Sequence, residues 1–296
     1  MVRFGISIYS ISRKIMNKDI TPEQGVRWLA EQGAEAIELV PFGVDLLGEP
    51  DLIGRLAAES KRCGVELANY SLNADFLLDD ANAYAAEINR VKRHMDAVHQ
   101  LGVKTMRIDC SSYRRALNTN NIEDFMAAVP VIVDTYETLC CYAAARGMTV
   151  VVENHGHLIN GGDRVRHILN GIKCANVGCQ LDTGNFACVD EKPEIAVGKL
   201  VNYAKTIHMK DFYIRAEDPG DATQFDCSGS WFKSLGGSYL RGSIFGQGDL
   251  DVRAIAATIK NAGYDGDMFI EFEGLEDCFY GSKVSLDNLK RIYKSV

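Results

Sequence analysis

Short apolar runs that stop at a charged residue recur along this chain. Val150-Val151-Val152 leads into Glu153, Gly178-Cys179-Gln180-Leu181 into Asp182, Thr206-Ile207 into His208, and Met268-Phe269-Ile270 into Glu271. Runs of this kind read as strands buried on both faces, each delivering its terminal polar group to the strand's C-terminal rim. The pattern predicts strands at Arg3 to Tyr9, Ala36 to Val40, Val65 to Tyr70, Thr105 to Asp109, Thr149 to Glu153, Val177 to Asp182, Thr206 to His208 and Met268 to Glu271. Helical periodicity fills intervals between them, as at Thr21 to Gln32, Asn82 to Leu101 and Ile122 to Arg146. Strands alternating with helices predict an α/β fold with a parallel sheet, and eight of them favour closure into a single (β/α)8 barrel.

Turn chemistry agrees. Gly33, Gly64, Gly102, Gly147 and Gly263 each stand where a helix should end before the next strand. Thr21-Pro22-Glu23-Gln24 supplies an N-cap followed by proline at the first helical position. The main rival, a doubly wound open sheet, lacks support because no G-x-G-x-x-G follows the first strand. Only residues 212–250 break the rhythm. That stretch is rich in Gly, Ser and Asp, with aromatics at Phe225, Trp231, Phe232, Tyr239 and Phe245. A loop so long inside a compact domain is expected to be a functional lid, and its aromatic content argues against disorder. No linker or low-complexity tract divides the chain, so residues 1–296 are expected to form one domain.

Composition narrows the function. A hydrophobic content of 47% is ordinary for a protein with a large core, and a formal net charge of −8 disfavours nucleic acid or an anionic membrane surface as partner. No stretch approaches about 18 uninterrupted apolar residues and the N-terminus has no secretory pattern, so a cytoplasmic protein is expected. The nine cysteines are odd in number, scattered and without C-x-x-C, which argues against a disulfide framework. Cys63, Cys140, Cys141, Cys174 and Cys179 fall in apolar patterns and read as small core residues.

The strand-end residues carry the chemistry. Glu153, Asp182, His208 and Glu271 are separated by 29, 26 and 63 residues, spacings that fit successive strand-helix units with one enlarged loop before the last. Taken singly, Asp182 in Asp182-Thr183-Gly184-Asn185 also reads as a turn former and His208 as a core histidine. Together, three carboxylates and one imidazole at neighbouring strand ends suit a divalent ion of the Mn²⁺ type. His208 and Lys210 share one face of their strand, as Glu271 and Glu273 do on theirs.

With these segments the chain resembles the xylose isomerase-like TIM barrels, a family of sugar isomerases and epimerases that also includes dehydratases and apurinic endonucleases. The matching segments are Val151-Val152-Glu153-Asn154-His155-Gly156, Leu181-Asp182-Thr183-Gly184-Asn185-Phe186, Ile207-His208-Met209-Lys210-Asp211 and Ile270-Glu271-Phe272-Glu273. The resemblance implies that Glu153, Asp182, His208 and Glu271 hold one divalent ion, Mn²⁺ by preference, with Mg²⁺, Co²⁺ or Zn²⁺ as alternatives. It further implies that Glu153 and Glu271 exchange the proton of a substrate carbon, with Tyr9, His155, His157, Lys210 and Arg241 close by. His155 and His157 also offer a general acid or base beside Glu153.

Two departures from the family pattern matter. The additional histidines of the three-metal endonucleases are absent from Ala36-Ile37-Glu38-Leu39 and Ala68-Asn69-Tyr70-Ser71, and Asn185 stands where many ketose epimerases carry histidine. The expected function is therefore isomerisation or epimerisation of a sugar or polyol through an enediolate. A lyase of the same superfamily, dehydrating inososes or eliminating from 3-keto glycosides including C-glycosides, is the alternative. An endonuclease or a non-catalytic sugar-binding subunit is more remote. Relatives commonly assemble through the barrel helices, which implies a homo-oligomer, with hetero-subunit assembly as the alternative.

Overall fold

The computed structural model describes residues 2–220, 222–223 and 229–296. Eight parallel strands close into a barrel: β1 (Arg3–Ser7), β2 (Ala36–Leu39), β3 (Glu66–Leu72), β4 (Thr105–Ile108), β5 (Thr149–Glu153), β6 (Val177–Asp182), β7 (Ala204–Met209) and, last in the chain, β12 (Asp267–Ile270). Each strand neighbours its predecessor in sequence, and β12 closes the ring against both β7 and β1. Around them lie α1 (Ser12–Met16), α2 (Pro22–Glu31), α3 (Pro50–Cys63), α4 (Ala81–Gln100), α5 (Ile122–Ala144), α6 (Gly162–Gly171), α7 (Pro193–Leu200), α8 (Val252–Asn261) and α9 (Cys278–Ser295).

Strand interiors such as Val150, Val151 and Val152 are wholly buried, because the barrel covers one face and the helices the other. Each such side chain contributes about 1.5–3 kcal/mol relative to an exposed one. The punctuation read from the sequence acts as expected. Gly33, Gly64, Gly102, Gly147 and Gly263 all take positive φ, the left-handed conformation that ends a helix without a Cβ clash. Thr21 and Gln24 form a reciprocal capping box with Pro22 at the helix start.

The boundaries shift modestly. β1 stops at Ser7, and Tyr9 sits in a short 3₁₀ turn over Ile8–Ile11 rather than in the strand. α5 is long and apolar enough to cross a membrane by length and composition, yet it lays Phe125, Ile132, Tyr136 and Leu139 into the core. Of the five cysteines read as core residues, Cys140 and Cys179 are buried, Cys63 and Cys174 are intermediate, and Cys141 is exposed. Cys141 directly follows the buried Cys140, so one helical step turns it to the outer face of α5.

The expected lid is more ordered than a loop. β8 (Phe212–Arg215), β9 (Ala222–Thr223), β10 (Trp231–Lys233) and β11 (Tyr239–Gly242) make a second sheet in the order β8-β11-β10-β9. Trp231, Phe232 and Tyr239 are strand residues of this sheet, whereas Phe225 lies outside the described residues. Two aspartates help tie the sheet to the barrel. The Asp211 carboxylate accepts backbone N–H groups of Phe212, Gly246, Gly248 and Leu250, joining the end of β7 to the returning chain. Asp190 accepts from Ser234 Oγ at 2.7 Å and from the Gly236 amide at 2.6 Å, clamping the β10–β11 turn onto the loop after β6.

The N-terminal end of the barrel is sealed by Phe269 with Ala36 and Ala68. Its ring fits because β1 has glycine opposite: a Cβ at Gly5 would lie 2.4 Å from the Ala36 carbonyl oxygen and 2.7 Å from Phe269 Cδ1. Gly5→Ala is therefore expected to lower stability by roughly 1–3 kcal/mol, whereas Gly54→Ala, in open space on α3, should raise it by roughly 0.5–1 kcal/mol. Chemical denaturation of the two variants checks the pair of opposite signs.

Candidate metal centre and substrate cavity

Register brings the strand-end residues together. Asp182 pairs with His208 across β6 and β7, Glu153 faces Gln180 across β5 and β6, and Glu271 follows the Ile270–Met209 pair. All four side chains are buried. His208 Nδ1 lies 3.1 Å from Glu153 Oε1, 3.5 Å from Glu271 Oε2 and 3.6 Å from Asp182 Oδ2. The three carboxylates thus converge on a single ring nitrogen.

The other nitrogen explains why. His208 Nε2 lies 2.9 Å from both oxygens of Glu38, a fully buried carboxylate on β2. With Nε2–H donated to Glu38, Nδ1 faces the carboxylates and is the nitrogen that would be offered to an ion. Glu38 is held in turn by Ser7 Oγ at 2.7 Å, Ser71 Oγ at 2.8 Å and Asn69 Nδ2 at 2.5 Å. Asp182 is aimed as tightly. Its Oδ1 accepts from the Gly184 and Asn185 amides, and Asn154 exchanges two hydrogen bonds with its backbone.

Charge is the dominant feature. Six carboxylates, Glu38, Asp109, Glu153, Asp182, Glu271 and Glu273, are buried around the barrel mouth. Two permanent cations face them. Arg107 contacts Glu153 at 2.6 Å and Asp109 at 3.1 Å, and Lys210 contacts Glu271 at 2.5 Å, Asp182 at 3.2 Å and Glu273 at 3.3 Å. With neutral imidazoles the cluster carries a formal charge of −4, an excess that low-dielectric surroundings do not tolerate without further positive charge. Burial disfavours an imidazolium at His208, but Glu38 and Glu271 outweigh it and raise its pKa well above the ordinary value. Burial likewise opposes ionisation of Glu271, yet Lys210 and His208 hold it well below the usual carboxylate range.

The donor set fits a divalent ion. Glu153, Asp182 and His208 offer atoms within 4.8 Å of one another, as do Glu38, His208 and Glu271. Asp182 Oδ2 is buried, with the Lys210 ammonium at 3.2 Å and His208 Nδ1 at 3.6 Å facing it. Glu153, Asp182, Glu271 and His208 Nδ1 would hold the ion, while Glu38 already engages the far side of the ring. Hard carboxylate oxygens with one nitrogen suit Mn²⁺ and similar ions.

Two cavities flank this centre. One, about 530 Å³ with its open mouth included, is lined by Tyr9, Phe42, Arg107, Glu153, His155 and Glu271 among others. The second, about 500 Å³, lies under the added sheet against His157, Phe212 and Phe232. Both share Tyr113, His155, Asn185, Lys210 and Glu273. Tyr9, His155, His157 and Lys210, placed near the substrate by resemblance, thus all reach a cavity. Arg241 lines neither; its guanidinium stacks between Tyr213 and Trp231, 5.2 and 4.9 Å from the ring centroids.

Sequence reasoning missed Glu38, Arg107, Asp109 and Tyr113. Glu38, Arg107 and Asp109 were visible as charges in or ending apolar strands, the same signal that marked the four ligands. Asp109 Oδ1 lies 3.0 Å from His155 Nδ1, orienting that ring from β4. Burial lowers the His155 pKa, but Asp109 outweighs it and the net shift is upward; at His157 burial and then His155 push it down. The two histidines are therefore driven toward opposite protonation states.

Glu38→Gln keeps the shape but loses the carboxylate, and is expected to weaken Mn²⁺ binding by about 10–100-fold, measured as free Mn²⁺ by electron paramagnetic resonance. Asp109→Asn removes the group that holds a proton on His155, so the imidazole titration followed by NMR should move to lower pH, while an unmoved midpoint would contradict the pairing.

Comparison with known proteins agrees with this architecture. The family model described as xylose isomerase-like TIM barrel matches residues 26–292. No curated protein matches in sequence. Among solved structures, D-psicose 3-epimerase with D-tagatose from Clostridium cellulolyticum H10 superposes with a TM-score of 0.75 at 14% identity, covering 98% of this chain and 99% of its own. The probable 3-DHS dehydratase from Bacillus anthracis gives 0.76 at 15%, covering 97% and 98%. The 3-keto-D-glucoside 4-epimerase from E. coli gives 0.70 at 16%, covering 98% and 100%. A family match over most of the chain, on a closed eight-stranded barrel, means that the protein belongs to the xylose isomerase-like TIM barrel family.

Proposed function

We propose that the protein is a divalent-metal-dependent sugar isomerase or epimerase that removes a proton α to a carbonyl. The observation that carries this reading is the convergence of Glu153, Asp182 and Glu271 on His208 Nδ1 beside an open cavity at the barrel mouth that Glu153 and Glu271 line. A bound ion, Mn²⁺ by preference, would polarise the carbonyl and the adjacent hydroxyl and so acidify the intervening C–H. Glu153 and Glu271 both line the cavity, so one takes the substrate proton and the other returns a proton to the opposite face. Arg107 and Lys210 hold those carboxylates in place, and against the opposition of burial Lys210 and His208 keep Glu271 ionised. Tyr9 and Phe42, with ring centroids 5.7 Å apart, form an aromatic wall of the site.

A second reading, elimination from a keto-sugar, is favoured by the Asp109–His155 pair. His155 stands beside Glu153 with its pKa raised, so it is suited to protonate a departing oxygen or carbon after the same proton abstraction. Both epimerases and a dehydratase occur among the structural neighbours, so the barrel accommodates either outcome.

Incubation with ketoses in D₂O separates the readings: isomerisation incorporates deuterium without release of water or aglycone, and elimination releases one. Glu153→Gln and Glu271→Gln are each expected to reduce exchange by at least about 10³-fold. Chelation of the metal should abolish exchange and added Mn²⁺ restore it. Full exchange in either variant would overturn the assignment of proton transfer.

A further inference from the structure

Three cysteines meet on the outside of the barrel, away from the metal centre. Cys140 and Cys141 lie near the C-terminal end of α5, which leads into β5, and Cys174 lies in the connection from α6 to β6. Both connections enter their strands at the N-terminal end, whereas the metal ligands stand at the C-terminal ends. The α6–β6 connection is laid along α5 by anchors on either side of Cys174. The Lys173 amide donates to Glu137 Oε1 at 3.0 Å, and Asn176 Nδ2 donates to the Cys140 carbonyl oxygen at 2.9 Å. Between these anchors the Cys174 thiol comes within hydrogen-bonding contact of the Cys140 and Cys141 thiols. Access differs among the three: Cys140 is buried, Cys174 half-buried and Cys141 exposed. Burial pushes the thiols of Cys140 and Cys174 up and so suppresses their reactive thiolates. Among the described residues the three thiols belong to no group whose ligand atoms all lie within 4.8 Å of one another, so they are not arranged around a shared metal ion.

We propose that Cys141 and Cys174 form a peroxide-oxidisable site, a pair of thiols that hydrogen peroxide closes into a reversible disulfide between α5 and the α6–β6 connection. The site lies outside the proton-transfer chemistry and does not depend on the sugar reading. The exposed Cys141 meets the oxidant first. Its thiolate attacks one peroxide oxygen, the O–O bond breaks, and the departing hydroxide takes up the thiol's proton as water, leaving a sulfenic acid on Cys141. The Cys174 sulfur then attacks the Cys141 sulfur, the S–S bond forms, and the hydroxyl leaves with the Cys174 proton as a second water. Two thiols and one hydrogen peroxide thus give one disulfide and two waters, with the sulfurs oxidised and the peroxide reduced. An isolated exposed cysteine has no thiol at hand to resolve its sulfenic acid; here Cys174 is already in contact. The anchors at Glu137 and Cys140 hold the two segments together before the bond forms, so closure asks for little movement of the backbone.

The test treats the reduced protein with a small excess of hydrogen peroxide, blocks the remaining thiols and maps the peptides by mass spectrometry. The expected product is a disulfide-linked pair of peptides carrying Cys141 and Cys174 from one chain, with both thiols recovered on reduction by dithiothreitol. Cys141→Ser, a change at an exposed position that the fold tolerates, is expected to abolish the linked pair, and Cys140→Ser to leave it. In Cys174→Ser, the unresolved Cys141 is expected to proceed to sulfinic acid. Absence of a linked pair in the unmodified protein would overturn the inference. So would a link that survives Cys141→Ser, a link lost in a folded Cys140→Ser protein, or a link formed only between two copies of the chain.

Discussion

Everything at the mouth of this barrel follows from an excess of buried negative charge. Six carboxylates are held out of water, and among the described residues Arg107 and Lys210 are the permanent cations paired with them. A cluster built for stability alone would be balanced or replaced by apolar residues, since a buried ion pair is seldom better than well-packed hydrocarbon. Here the imbalance is maintained by a buried scaffold of hydrogen bonds. Ser7, Ser71 and Asn69 fix Glu38, and the backbone of Gly184 and Asn185 fixes Asp182. A divalent cation would resolve the excess, and the orientation of His208 by Glu38 sets Nδ1 as the nitrogen that would meet it.

The same constraint shapes the fold. Strands buried on both faces can carry a charge only at their ends or toward a shared polar interior, so parallel strands concentrate the chemistry at one rim. The opposite end packs Phe269 against Gly5, Ala36 and Ala68, and the charges at that end, Arg3 with Asp267 and Glu66, pair with one another. The second sheet, anchored through Asp211 and Asp190, lies over the charged rim and divides its cavity into a polar lobe at the ligands and an apolar lobe beneath Phe212 and Phe232.

Much of this was legible in the sequence, for identifiable reasons. Apolar runs ending in Glu153, Asp182, His208 and Glu271 are local signals, and register then brings them together because equivalent strands end at the same level. The helix-ending glycines are equally local, since left-handed φ is a property of one residue. Partnerships between distant strands were harder to read. Glu38 looked like the site of a missing histidine, and its role becomes visible only when β2 lies across the barrel from β7. The added sheet was read as a loop because its strands are two to four residues long, too short for alternation to register. Arg241 lies against Tyr213 and Trp231 of the second sheet, a contact between short strands that the sequence does not display.

The account depends on one ion at one place. Crystals grown with Mn²⁺ and measured at its absorption edge test that directly. A single anomalous peak bonded to His208 Nδ1, Glu153, Asp182 and Glu271, with Glu38 hydrogen-bonded to Nε2, is the predicted result. A cluster of protein carboxylates with no peak among them, or a peak bonded through Nε2, would contradict it.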